Sequence, residues 1–252
     1  MNPSPMQIVL STFRRQRVRA LLMGGQACVL YGAAEFTRDS DFLASADAAN
    51  VNRLHRALRE LNARRVYDPD LSLDALLRGH ACHFEVPVQS GRPWRVDVMS
   101  KLRGTASFAQ LWKRRTVLDS AALGRICVLD IRDLVIAKKT QRDKDWPMIA
   151  RLVEADFASH GHRPTPREVR FWLLEARSAD LLGRLVRRFG PAARRLASRR
   201  AALQAALGGD SRAVESALSA EQSRERELDR AYWQPLREEL ARLRRRRDAD
   251  SS

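Results

Sequence analysis

Residues 23–42 read MGGQACVLYGAAEFTRDSDF, with a glycine pair at Gly24 and Gly25 and two aspartates, Asp39 and Asp41, one residue apart. The preceding VRALL predicts a strand ending in the glycine turn, QACVLYGAA is helix-compatible, and TRDSDFLA reads as a second strand. Side chains two residues apart on a strand project from one face, so Asp39 and Asp41 point together. Carboxylates that close repel unless solvent or a divalent cation neutralises them, and Mg²⁺ takes one or two carboxylates together with phosphate oxygens. A glycine turn opening a helix supplies the other half of such a site, because its backbone N–H groups and the helix dipole suit a phosphate. The combination describes a site for a metal-bound nucleoside triphosphate.

Further along, Asp97 in WRVDVMS alternates with Val96 and Val98 and so faces away from their side of its strand. A neighbouring strand could bring it beside Asp39 and Asp41. Three convergent carboxylates hold two ions about 3.5–4 Å apart, one activating an attacking hydroxyl and the other stabilising leaving pyrophosphate.

Outward from this stretch, residues 6–16 predict a short amphipathic helix, and ADAANVNRLHRALRELNAR a helix of about five turns with Val51, Leu54, Leu58 and Leu61 on one face. FEVPVQSGRPWRVDVMS alternates about Ser90–Gly91 and predicts a β-hairpin. This order implies an α/β sheet domain over residues 1–107. From Phe108 the pattern turns helical, giving an extension over 108–160 with its longest helix bent near Pro147. The polar SHGHRPTP at 159–166 separates it from an all-helical, basic region at 161–252, whose tail from Arg244 should fray.

The chain of 252 residues carries a net charge of +16 and has a pI near 11.1, which suits a polyanionic partner such as nucleic acid. Residues 163–252 hold 21 arginines against 13 acids and no lysine. Arg187, Arg188, Arg194, Arg195, Arg199 and Arg200 are the candidates for a phosphate-binding surface. No run of 18 or more apolar residues exists and no apolar segment follows the basic residues near the start, so neither a membrane span nor a signal peptide is expected. The scattered Cys28, Cys82 and Cys127 argue against a disulfide framework and for a cytoplasmic protein. His80, Cys82 and His83 in GHACHF lack a distant partner for a zinc site and read as loop residues.

GGQACVLYGAAEFTRDSDF resembles the first motif of the nucleotidyltransferase superfamily, the polymerase-beta-like fold, and especially its minimal branch that includes AbiEii-type toxins of toxin–antitoxin systems. The resemblance runs through Asp97 into DLVIAKKTQRDKDWPMI, about residues 20–155. It implies a small mixed sheet flanked by helices, nucleotide contacts from Gly24, Gly25 and Gln26, and a two-ion Mg²⁺ site on Asp39, Asp41 and Asp97. It also implies a lysine and an aspartate approaching from the helical side. Lys138 is the better candidate than the adjacent Lys139, sharing a helical face with Leu134 and Arg142, and Asp145 is the matching acid. Gly25 stands where members often carry serine. Glu35 stands where the toxin branch often carries arginine, a role Arg38 could fill.

The expected activity is transfer of a nucleoside monophosphate from an NTP to a hydroxyl, on an RNA acceptor such as tRNA, with an antitoxin as a further partner. Two other readings share the fold: a non-catalytic protein binding nucleic acid or a partner, and a small-molecule nucleotidyltransferase of the aminoglycoside-modifying sort.

Overall fold

The structure, a computed structural model, describes residues 4–34, 37–89, 91–121 and 123–250, with side chains through Arg245. Glu35 and Ser90 lie outside the described residues. The chain forms two compact units, one of residues 1–29, 36–134 and 233–252, the other of residues 30–35 and 135–232.

The first unit is an α/β domain. Its elements are α1 (Pro5–Arg15), β1 (Ala20–Met23), α2 (Gly24–Leu30), β2 (Asp39–Ala44), α3 (Ala48–Glu60), β3 (Arg64–Arg65), α4 (Leu73–Arg78), β4 (Cys82–Val86), β5 (Trp94–Met99), α5 (Phe108–Lys113), β6 (Thr116–Ser120) and β7 (Gly124–Val128). Among the described residues the strands form one mixed sheet ordered β3-β4-β5-β2-β1-β7-β6. β2 pairs antiparallel with β1 and parallel with β5. One sheet face carries Phe42, Phe84, Val96 and Val98, all buried. The Phe13 ring of α1 meets Phe42 there, with centroids 4.7 Å apart. Asn50 of α3 is fully buried and satisfies three backbone groups. It accepts from Arg19 N–H at 2.7 Å and donates to the carbonyls of Arg19 and Ser45, fixing α3 against the start of β1 and the end of β2.

The helices begin where the sequence caps them. Ser4 and Gln7 form a capping box ahead of α1, and the Asp47 carboxylate accepts from Asn50 N–H at 2.8 Å ahead of α3. Two expectations fail here. α3 has 13 residues rather than five turns, because Asn62 turns left-handed at φ 52° and leads the chain into β3. Residues 108–134 are not wholly helical: β6 and β7 form an antiparallel hairpin after the short α5, with Gly124 at φ 69°. The strand pair carries its β-branched residues at Thr116, Val117, Ile126 and Val128.

The second unit is helical, with α7 (Asp145–His160), α8 (Pro166–Glu175), α9 (Ala179–Arg188), α10 (Gly190–Leu196) and α11 (Ala201–Leu207). α6 (Ile131–Ala137) and α12 (Ser211–Asp250) each belong partly to both units. The expected bend at Pro147 lies earlier, at residues 138–144. Pro147 sits in the first turn of α7, where no intrahelical N–H is needed. α12 continues through Asp250, so its backbone does not fray at Arg244. Among the described residues no helix is long and apolar enough to cross a membrane.

Arg200 is buried, 7% exposed. Its guanidinium donates to the carbonyls of Leu173 and Ala176 at 3.0 and 2.6 Å and to Glu221 at 3.0 Å. It therefore knits α8 to α12 and is not part of a phosphate-binding surface, a correction that its neighbour Arg199, which is exposed, does not need. Arg200→Ala should cost about 3 kcal/mol in urea unfolding, since it leaves two buried carbonyls without their donor and Glu221 with Arg177 alone. Arg194→Ala, at an exposed position, should stay within about 0.5 kcal/mol of the parent.

Candidate active site

On the sheet face opposite Phe42 and Val96, side chains of four strands line up. The register sets Asp41 against Met23 of β1 on one side and against Asp97 of β5 on the other, and Asp97 against His83 of β4. One step along, Asp39 pairs with Arg95, and Arg95 with Glu85. Asp39 and Asp41 thus share a face, and parallel pairing brings Asp97 directly across from Asp41. Strand spacing puts these backbones about 4.8 Å apart.

The glycine pair bounds this row. Gly24 has φ 66°, and a Cβ there would lie 1.7 Å from Asp41 Oδ2. The Asp41 carboxylate therefore rests against the bare Cα of residue 24. A Cβ at Gly25 would lie 2.8 Å from Thr37 Oγ1. Thr37 thus places a hydroxyl beside Gly25, and that hydroxyl donates to Asp39 Oδ1. Gln26 is buried and donates to the Thr37 carbonyl at 3.2 Å, anchoring the approach to β2. Arg38 is exposed beside Asp39.

Asp97 Oδ1 is 2.8 Å from His83 Nδ1 and 2.9 Å from Arg95 Nε. Burial raises the Asp97 carboxyl, but the bonds and charges of His83 and Arg95 outweigh it and leave its pKa lowered. Burial pulls Arg95 the other way, yet Asp97, Tyr67 and Asp39 hold it more firmly protonated. His83 and Arg95 are the site residues that sequence reasoning passes over. His83 lies on β4, not in a loop, and its alternation with Cys82 and Phe84 is the signal that marks it. Cys82 faces the core, where burial pushes its thiol up to about 12. His80 is buried beside Glu239 of α12.

Among the described residues, no three His, Cys, Asp or Glu side chains converge closely enough to hold a metal ion. Asp39 and Asp41, on one face of β2, are the residues that would hold a Mg²⁺ ion. A second ion would need Asp97 released from His83 and Arg95.

The lysine–aspartate motif lies in the helical unit and forms its own network. Lys138, 7% exposed, follows α6 and bonds Asp145 Oδ1 at 2.9 Å, while Thr140 and Arg142 hold Oδ2 at 2.6 and 2.8 Å. Burial raises the Asp145 carboxyl, and Lys138, Thr140 and Arg142 together bring it below the usual range. Lys139 is paired with Glu175 at 2.8 Å. Of the six candidate arginines, Arg187, Arg188, Arg194, Arg195 and Arg199 are exposed. Arg188 also donates to the Gly161 carbonyl and lies 5.1 Å from the Phe189 ring.

Two outcomes follow from this geometry. Gly24→Ala should lose more stability than Gly32→Ala: both incur the left-handed strain of about 1 kcal/mol, but only at residue 24 does the new Cβ meet a side chain, since Gly32 at φ 74° faces open space. Urea midpoints of the two variants read the difference. For Asp97, a folded-state pKa below the unfolded value stabilises the protein fully above about pH 3.9 and loses that contribution as pH falls through the folded value. The stability gap between the parent and Asp97→Asn should therefore shrink as pH falls below 4. A gap that does not change with pH would show that His83 and Arg95 do not hold the carboxylate ionised.

No family model matches the chain, and no curated protein matches it either. Among solved structures, the chain is similar to a crystal structure of an H. pylori protein provisionally identified as a nucleotidyltransferase. That likeness has 14% identity and a TM-score of 0.40, and covers 88% of this chain and 94% of the other.

Proposed function

We propose that this chain is a Mg²⁺-dependent nucleotidyltransferase that moves a nucleoside monophosphate from an NTP to a hydroxyl of an RNA acceptor. The observation that carries the proposal is the placement of Asp97 opposite Asp41 by the parallel β2–β5 register, with the Asp41 carboxylate seated on the bare Cα of Gly24. Asp39 and Asp41 would hold the metal, and the Gly24–Gly25 backbone would approach the triphosphate. When bound, Mg²⁺ neutralises charge on the triphosphate and on the leaving pyrophosphate. The acceptor hydroxyl oxygen bonds to the α-phosphorus as the bond from that phosphorus to the oxygen bridging the β-phosphate breaks. Asp97, held ionised by Arg95 and His83, accepts the hydroxyl proton. The exposed Arg187, Arg188, Arg194, Arg195 and Arg199 support an RNA acceptor, tRNA being the proposed case. Resemblance to AbiEii-type toxins supports a toxin role countered by an antitoxin protein.

One observation favours the non-catalytic alternative, a protein that binds nucleic acid with this fold. Asp97 is engaged by His83 and Arg95 and does not form a trio with the other two carboxylates. Incubating the purified protein with each α-labelled NTP, Mg²⁺ and total RNA separates the readings. Label transferred to RNA supports the enzyme; RNA binding without transfer supports the alternative.

Asp39→Asn and Asp41→Asn should each abolish Mg²⁺-dependent NTP binding while leaving urea stability equal or higher, because carboxylate repulsion is relieved. Asp97→Asn should abolish turnover with a smaller loss of NTP binding. Unfolding of the first two variants, or normal turnover in the third, would refute these roles.

A further inference from the structure

The sheet face that bears the carboxylates ends, on the β3 side, in an exposed aromatic ring. Tyr67 follows β3 and is 48% exposed, yet its ring is held in place. The His83 imidazole meets it edge to face with centroids 5.7 Å apart at 80°, and the Arg95 guanidinium carbon lies 5.5 Å from the ring centroid. The Val66 N–H donates to the His83 carbonyl at 2.9 Å, tying this segment to β4. A large ring left half in water gains little from burial. A ring fixed by a cation and an imidazole edge has already lost the freedom that a stacking partner would otherwise remove. The two side chains that fix it are the same two that hold Asp97.

Position along the sheet identifies the partner. The glycine turn lies on the β1 side of Asp41, whereas Asp97, His83 and Tyr67 succeed one another on the β5 and β4 side. β4 is two strands from β2, about 10 Å. Phosphoryl transfer sets the attacking and leaving oxygens roughly in line across phosphorus. If the triphosphate lies at Gly24, the acceptor must enter from the Tyr67 side. An unstacked base of a single strand offers the planar face that an exposed tyrosine takes, with little regard to sequence. The net charge of +16 suits the strand's phosphates.

We infer that Tyr67 is a stacking residue for a nucleobase at the single-stranded end of the RNA acceptor, and that Arg95 couples that stack to Asp97. The inference rests on the nucleotidyltransferase reading above for its direction of approach. The test uses the full chain, a single-stranded RNA oligonucleotide ending in 2-aminopurine, and NTP binding with Mg²⁺ measured in parallel. Tyr67→Ala should weaken the oligonucleotide by about five- to a hundredfold and abolish the 2-aminopurine fluorescence change on binding. Tyr67→Phe, which keeps the ring, should retain both, and Tyr67→Leu should lose the fluorescence change. NTP affinity should stay within twofold in all three, and in turnover the alanine variant should raise the KM for RNA more than it lowers kcat. Urea midpoints confirm that each variant is folded, and the phenylalanine and leucine pair decides the matter if the alanine variant is not. The inference is overturned if the parent does not bind the oligonucleotide, if Tyr67→Ala binds it as tightly as the parent, if Tyr67→Phe loses as much as Tyr67→Ala, or if NTP affinity falls instead. RNA binding that depends on Tyr67, with no NTP binding or transfer by the parent, would leave the stack standing and refute the enzyme.

Discussion

The site depends on the parallel pairing of β2 with β5. Antiparallel neighbours can be joined by a tight turn, but parallel ones need a long crossover, and here the chain between them makes α3, β3, α4 and β4 before β5 is laid down. That crossover delivers Asp97 opposite Asp41 and brings β4, with His83, to its far side. Because the side-chain period of a strand is two, a slip of one residue would turn Asp97 into the core and Val96 out of it. Burial of Val96 and Val98 therefore fixes the carboxylate register as firmly as it fixes the core.

The opposite flank is set by the absence of a side chain. Gly24 is the first residue of α2, and the Asp41 carboxylate occupies the volume its Cβ would need. The two faces of the sheet then have different tasks. The one with Phe42, Phe84, Val96 and Val98 supplies cohesion against the helices, and the one with Asp39, Asp41, Arg95, Asp97 and His83 supplies charge. Arg95 offsets part of the repulsion among the three carboxylates that share this face. Asp97 would have to exchange its partners, His83 and Arg95, before it could join a metal.

In the helical unit, several charges that composition assigns to the surface are committed to the interior. Asp145 gathers Lys138, Thr140 and Arg142 into a closed turn between α6 and α7, and Arg200 with Glu221 joins α8 to α12. A buried ion needs its partners close and fully hydrogen-bonded, since its loss of hydration is otherwise uncompensated. These pairs therefore specify packing, and the positive charge left at the surface of the helical unit comes from residues such as Arg194, Arg195 and Arg199 that remain exposed.

The sequence by itself determined the α/β class, the strand–glycine–helix–strand order around Gly24, and the shared face of Asp39 and Asp41. These follow from local rules: a period of two on strands, a period near 3.6 on helices, and the freedom of glycine. Asp97 was legible as a strand carboxylate on the outward side, but its neighbour was not, because pairing between distant strands leaves no mark on either one. For the same reason His83 and Tyr67 read as unremarkable residues until β4 and β3 were set beside β5. The break before α7 was hidden by a proline that is harmless in a first turn, and the burial of Arg200 by its resemblance to the exposed arginines around it. Only the tertiary structure decided which charges face water, since burial and hydrogen-bond partners depend on packing between segments far apart in the chain.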